Sequence, residues 1–242
     1  MTEFTLIILF AGLLVGLAKG GLGPLGAVIT PLVVLAMPDT PQQAVGQVLL
    51  LLIVGDWFAL YVYWGQWEGQ RIRLLLIGAV VGIVLGVTAL AGLPADLTKR
   101  FIGIIGLLMA AYTVLESRLH GFQYQARPWH ATLAGSVTGF TSALANAGGP
   151  PFNAYMLLQG LEPRQFVATG TLFFATVNLI KLPFFFASGT LHLSQLPDAL
   201  PGLLLVPVGV WLGKQVVDRI NRNVFQAMIW VGLVLSSVLL LR

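Results

Sequence analysis

Apolar residues run along the chain in ten stretches, at about 4–19, 24–37, 43–64, 72–92, 99–116, 130–144, 149–160, 165–188, 197–217 and 223–241. A helix needs about 20 apolar residues to cross the hydrocarbon core of a bilayer. Six of the ten stretches meet that length, and the pairs 4–19/24–37 and 130–144/149–160 fall short. Each short pair flanks a run where glycine and proline interrupt apolar sequence. These runs are Lys19-Gly20-Gly21-Leu22-Gly23-Pro24 and Asn146-Ala147-Gly148-Gly149-Pro150-Pro151. The short stretches are tilted helices or the two arms of a re-entrant hairpin, and in both cases the chain returns to its starting side. A membrane chain that breaks its helices at matching places in two halves handles a solute there.

The match between the halves extends beyond the breaks. Gly12-x-x-x-Gly16 precedes the first and Gly135-x-x-x-Gly139 the second. Pro41-Gln42-Gln43-Ala44-Val45 pairs with Pro163-Arg164-Gln165-Phe166-Val167 at an offset of 122, which also sets Asp56 opposite Asn178. Later, Gly82-x-x-x-Gly86 pairs with Gly209-x-x-x-Gly213. Five segments per half is an odd number, so the second copy is upside down relative to the first. The expected architecture is an all-α membrane protein of about ten segments in two inverted repeats of five. The repeats cover residues 1–117 and 129–242, joined by a polar cytoplasmic linker at 118–128. Inverted repeats place the solute site near the membrane midplane. The spaced glycines let helices approach closely, which supplies packing where lipid offers no hydrophobic drive. Pro183 and Pro207 interrupt long helices as hinges for a rocking motion or as passive kinks.

Composition fixes the solvent. Of 242 residues, 57% are hydrophobic and 9% charged, against about 25% charged in soluble domains. The net charge of +4 is spread singly between apolar runs, which excludes a nucleic-acid surface. There are no cysteines, so disulfides and thiolate metal sites are excluded. His120, His130 and His192 have no ligand spacing. The N-terminus lacks the basic flank and small-residue cleavage site of a signal peptide, so its first apolar run is expected to stay in the protein. Arg71, Arg73, Arg118, Arg127, Arg164, Arg219 and Arg222 gather on one side with Lys214 just inside its span, against Lys99, Arg100 and Arg242 on the other. Basic loops face the cytoplasm, so both termini are expected outside a prokaryotic-type plasma membrane.

Few charges lie inside spans: Lys19, Asp56, Lys181 and, near an end, Lys214. A charge at the bilayer centre costs at least about 2.5–3.5 kcal/mol and faces a cavity or a partner. Lys19, Asp56 and Lys181 sum to one positive charge at depth, which favours an anion. Asn178 and Lys181, three apart, share a helix face. Another arrangement is a structural Asp56–Lys181 ion pair with Lys19 snorkelling to the interface. The breaks offer a second anion device, because helix N-termini present unpaired N–H groups and partial positive charge. Glycine lets an oxyanion approach such groups, while Asn146 and Asn153 add amide donors. The candidate substrate-binding residues are therefore Lys19, Gly20, Gly21, Gly23, Asn146, Gly148, Gly149, Asn153, Asn178 and Lys181, with Asp56 as the candidate proton carrier. Against this, the glycines could serve only helix crossing and each Asn only a helix cap. Gln47, Thr138, Thr141, Ser142, Thr169 and Thr171 are smaller polar groups on the same stretches. Trp57, Tyr61 and Phe173 are candidates to wall an apolar part of a solute, and Trp64, Trp67, Trp129 and Trp230 fit the membrane interface.

The glycine-rich interruption after the first stretch resembles the TauE/SafE sulfite exporter family. So do its second copy ending in Gly148-Gly149-Pro150-Pro151, and the Pro-Gln and Pro-Arg-Gln starts of the long third stretches. The resemblance covers about residues 4–241. It implies secondary transport of a small sulfur-containing anion such as sulfite, sulfoacetate, thiosulfate or a related organosulfonate. The expected function is an exporter working by alternating access, with protons as candidate coupling ion and no cofactor. An importer of thiosulfate or sulfate using the same site, and an anion channel, are the alternatives. An enzyme is not expected, since no Ser/His pair, paired carboxylates or His cluster lies at catalytic spacing. No G-x-x-x-x-G-K-[ST] occurs, so ATP is not the energy source.

Overall fold

The computed structural model describes residues 3–115, 127–216 and 222–242. Among these the chain is all-helical: α1 Glu3–Lys19, α2 Gly26–Ala36, α3 Pro41–Val62, α4 Gly69–Gly92, α5 Ala95–Leu115, α6 Pro128–Ala145, α7 Gly149–Leu157, α8 Pro163–Ala187, α9 Leu196–Val216 and α10 Arg222–Leu240. The expected linker at 118–128, except its last two residues, lies outside the described residues, as do Arg118, His120 and Arg219. Helices α3, α4, α8 and α9 are each long and apolar enough to cross a membrane. The expected spans 99–116 and 223–241 correspond to α5 and α10, both of which adjoin residues outside the described set. With 11 and 9 residues, α2 and α7 are about 17 and 14 Å long, roughly half a bilayer core.

Local chemistry sets these ends. Proline opens α3, α6, α7 and α8, where its missing N–H and fixed φ cost nothing. Past α1, Gly21 takes φ 134° and the Leu22 N–H donates to Leu17 O at 3.0 Å, closing the helix in the manner of a Schellman cap. At the end of α6 the same task falls to Asn146 in the left-handed region, φ 52° and ψ 30°. Its N–H donates to Ser142 O at 2.9 Å. Asparagine enters that region more readily than most side chains.

Glycine decides the packing. Helix α1 lies on α9, where a methyl added at Gly12 or Gly16 would strike the backbone of Gly202 or Val206. Helix α4 lies on α6, with Gly82 against Ser136 and Gly139 against Ala79. The first helix of each set of five thus packs on the fourth helix of the other set. Helices α3 and α8 run antiparallel between these pairs. Gly46, near the start of α3, faces Thr190 just beyond α8, and Glu68, just beyond α3, bonds Thr169 near the start of α8. Helix α5 packs on α10.

Candidate functional site

Two buried polar clusters meet where the broken helices touch α3 and α8. In the first, Lys19 in the last turn of α1 forms a salt bridge with Asp56 Oδ1 on α3. The other carboxylate oxygen accepts from Asn178 Nδ2 on α8 at 2.6 Å. Asp56 is 2% exposed and Asn178 3%, so both oxygens are occupied and the lysine charge is neutralised. The pairing of positions 56 and 178, expected only as a correspondence between halves, is a direct contact.

The second cluster centres on Lys181, which is fully buried on α8. Its ammonium donates to Ser142 O at 3.1 Å, Ser142 Oγ at 3.0 Å and Asn146 Oδ1 at 2.7 Å. Three donors thus meet three acceptors, all of them uncharged. The Phe185 ring lies 5.7 Å from Nζ, adding a weak cation–π attraction. Ser142 O belongs to the last turn of α6, where the helix dipole is negative. That end of α6 draws the lysine away from Asp56. The charge is solvated here without being cancelled.

The structure therefore corrects the alternative in which Asp56 pairs with Lys181 while Lys19 snorkels. Lys19 takes the carboxylate because it extends from α1 directly onto α3. Asn178 fills the α8 side of Asp56, and Lys181 turns to the second break. Lys214, the remaining in-span charge, is exposed in the last turn of α9.

Asn146 is the hub of the second cluster. Besides accepting from Lys181, its Nδ2 donates to Val45 O on α3 at 3.1 Å and to Thr30 Oγ1 on α2 at 3.4 Å. One side chain at the break thus joins three helices. The Gly148 and Gly149 N–H groups carry no hydrogen bond among the described residues, and Pro150 and Pro151 have no N–H to offer. An added Cβ at Gly149 would meet nothing within 4 Å, while at Gly148 it would lie 3.0 Å from Thr138. The buried Thr138 hydroxyl also has no partner among the described residues. Asn153 is half-buried on α7.

The first break is spent differently. A Cβ at Gly20 would press on Val210 O of α9 at 2.5 Å, and Gly21 is the cap of α1. Gly23 alone faces open space. Gly20 and Gly21 therefore serve packing and chain reversal, and among the candidate glycines the open positions are Gly23 and Gly149.

Among the aromatic candidates, Trp57 is 76% and Tyr61 84% exposed. They point out from α3 and cannot wall a central solute; α3 turns its other face to α8. Phe173 is buried and stacks on Phe152 at 4.8 Å. A cavity of about 260 Å³ opens between α1 and α2, but its lining (Ile7, Phe10, Leu14, Ile29, Leu32 and others) is wholly apolar, which suits no anion. Sequence reasoning missed Thr30, and it passed over Glu68 and Gln195, which bond to the matched residues Gln165 and Gln43. The shared Gln at an offset of 122 was the available signal.

The family described as Sulfite exporter TauE/SafE matches residues 8–240. Over 226 residues the chain is 27% identical to the "Probable membrane transporter protein YtnM" of Bacillus subtilis (strain 168), covering 86% of this chain and 74% of that protein. No solved structure matches significantly.

Proposed function

The chain belongs to the sulfite exporter TauE/SafE family, and from that premise we propose that it carries a small sulfur oxyanion or organosulfonate outward across the plasma membrane, with Lys181 as the anion's countercharge. The family and the similar protein are membrane transporters, not enzymes. The observation that carries the proposal is the unequal fate of two buried lysines. Lys19 is neutralised by Asp56, whereas every acceptor of Lys181 is neutral. A substrate oxyanion that replaces Asn146 or Ser142 on Nζ gains a charge-assisted hydrogen bond. The free N–H groups of Gly148 and Gly149 and the Thr138 hydroxyl add donors to a group with several acceptor oxygens.

Alternating access around this site follows from two inverted repeats of five helices. The reading is supported by the reciprocal packing of α1 on α9 and α4 on α6, and by the contact of Asp56 with its counterpart Asn178. Protonation of Asp56 would release both Lys19 and Asn178 and loosen α3 from α8, which makes it the proton carrier of the scheme. The orientation in this scheme, with both termini outside, is supported by the basic residues Arg71, Arg73 and Arg164 near the starts of α4 and α8. A thermal-shift series with sulfite, thiosulfate, sulfoacetate, taurine and sulfate tests the substrate class. A ligand at a hundredfold excess over its dissociation constant stabilises the folded state by about 2.7 kcal/mol. Stabilisation by one or more sulfur oxyanions supports the proposal, and a flat response to all of them refutes it. Saturable counter-flow in liposomes then separates a carrier from a channel.

A further inference from the structure

Two small polar clasps lie at opposite ends of the α3–α8 pair, and their construction is the same. At the start of α3, Gln43 Oε1 accepts from Gln195 Nε2 at 2.6 Å, and Gln47 Nε2 donates to Gln195 O at 3.2 Å. At the start of α8, Gln165 Nε2 donates to Glu68 Oε1 at 3.3 Å, and the Glu68 N–H donates to Thr169 Oγ1 at 3.0 Å. Each clasp takes two residues one turn apart on a third helix, Gln43 and Gln47 or Gln165 and Thr169. Each joins them to a single residue just before the fourth helix of the other half, Gln195 before α9 or Glu68 before α4. Thirteen residues separate Gln43 from Asp56, and thirteen separate Gln165 from Asn178. The clasps thus stand about 20 Å on either side of the Asp56–Asn178 contact.

We propose that the two clasps are the gates of the transporter, one at each membrane face, which open in alternation. This assignment rests on the transport reading above. Three observations support it. Both clasps are formed at once while Lys181 and Asp56 are buried, the arrangement of a site closed to both sides. Their bonds are polar, and in each the outer pair, Gln43 with Gln195 or Gln165 with Glu68, is half-buried while the inner residue, Gln47 or Thr169, is buried, so water can replace the outer partners first when a clasp parts. A polar cavity of about 210 Å³, lined by Asp39, Thr40, Gln42, Gln43, Ser188 and Thr190, already opens against the Gln43 clasp. The two gates differ in that Glu68 is a carboxylate where Gln195 is an amide, and Thr169 accepts from a backbone N–H where Gln47 donates to a backbone carbonyl.

The absence of cysteine makes the test clean. Thr138→Cys, at the buried second break, serves as reporter in oriented vesicles treated from one side with a membrane-impermeant thiol reagent. In that background Gln43→Ala raises labelling about fivefold from the outside only, and Gln165→Ala raises it about fivefold from the cytoplasmic side only. Equal labelling from both faces, or a rise on the same face in both variants, overturns the assignment. A second measurement locks each clasp as a cysteine pair, Gln43→Cys with Gln195→Cys or Gln165→Cys with Glu68→Cys, using a bifunctional methanethiosulfonate reagent that joins each cysteine through a reducible disulfide. Either lock stops sulfite counter-flow, and reduction restores it; flow that persists through both locks overturns the gates. Opposite-sided labelling in a protein that shows no sulfite counter-flow keeps the gates and removes the sulfite reading instead.

Discussion

The two helix breaks look alike in sequence and behave differently in charge. At the first, a lysine leaves the end of α1 and meets a carboxylate on α3. At the second, the lysine comes from α8 and meets the end of α6, where a carbonyl, a hydroxyl and an amide oxygen receive it. The first break holds a closed ion pair, and its Gly20 is pressed against α9. Among the described residues, the second keeps a cation, two unbonded N–H groups and an unpartnered hydroxyl together. The two breaks are similar in sequence; the placement of one aspartate leaves one buried lysine paired by charge and the other held by neutral acceptors alone.

The largest expected effect breaks the first site. Removing one member of a buried ion pair costs about 3–5 kcal/mol. Asp56→Ala therefore lowers the melting temperature strongly, while the double variant Lys19→Met with Asp56→Asn recovers most of the loss. A thermal-unfolding double-mutant cycle reads this; additive losses would show that the pair is not coupled.

Next comes packing. Gly16→Ala and Gly139→Ala each drive a methyl into the backbone of the facing helix, and overpacking costs about 1–3 kcal/mol. Gly149→Ala, in open space, leaves the melting temperature nearly unchanged and weakens only anion binding. Equal destabilisation at positions 139 and 149 would erase the distinction between packing and site glycines.

The smallest effect belongs to a solvent-exposed pair with the same residue types. Asp96 and Lys99 lie 2.8 Å apart at the start of α5. The Lys99 hydrogen bond and charge hold the Asp96 carboxyl below its usual value of 3.8. A depressed carboxylate adds stability above its unfolded pKa that is lost as pH falls through the folded value. Asp96→Asn therefore lowers the melting temperature slightly and by a constant amount from pH 5 to 8, and the difference vanishes in more acid solution. A difference that grew in acid, or that varied with pH near neutrality, would contradict this.

Much of this was legible in the sequence because it rests on local rules. Gly-Pro runs set the end of α1 and the start of α7 to the residue, and glycine spacing marked four helices that pack closely without saying which packs on which. The partners of buried charges were not legible. Whether Asp56 meets Lys19 or Lys181 depends on which helix end points at it, and spacing within one helix carries no such information. Trp57 and Tyr61 misled for the same reason, since one face of α3 reads much like another when lipid covers it. The clasps escaped because Glu68 and Gln195 lie in the short connections before α4 and α9, where no periodicity marks them.

The most direct test of the central claim is calorimetric sulfite binding at low ionic strength. It compares the unmodified protein, Lys181→Met, and Lys19→Met with Asp56→Asn. A hydrogen bond to a charged group contributes about 1.5–3 kcal/mol, so Lys181→Met should weaken binding about 10- to 100-fold, while the double variant binds as the unmodified protein does. Intact binding in Lys181→Met, with loss in the double variant, would move the anion to the first break and contradict the account.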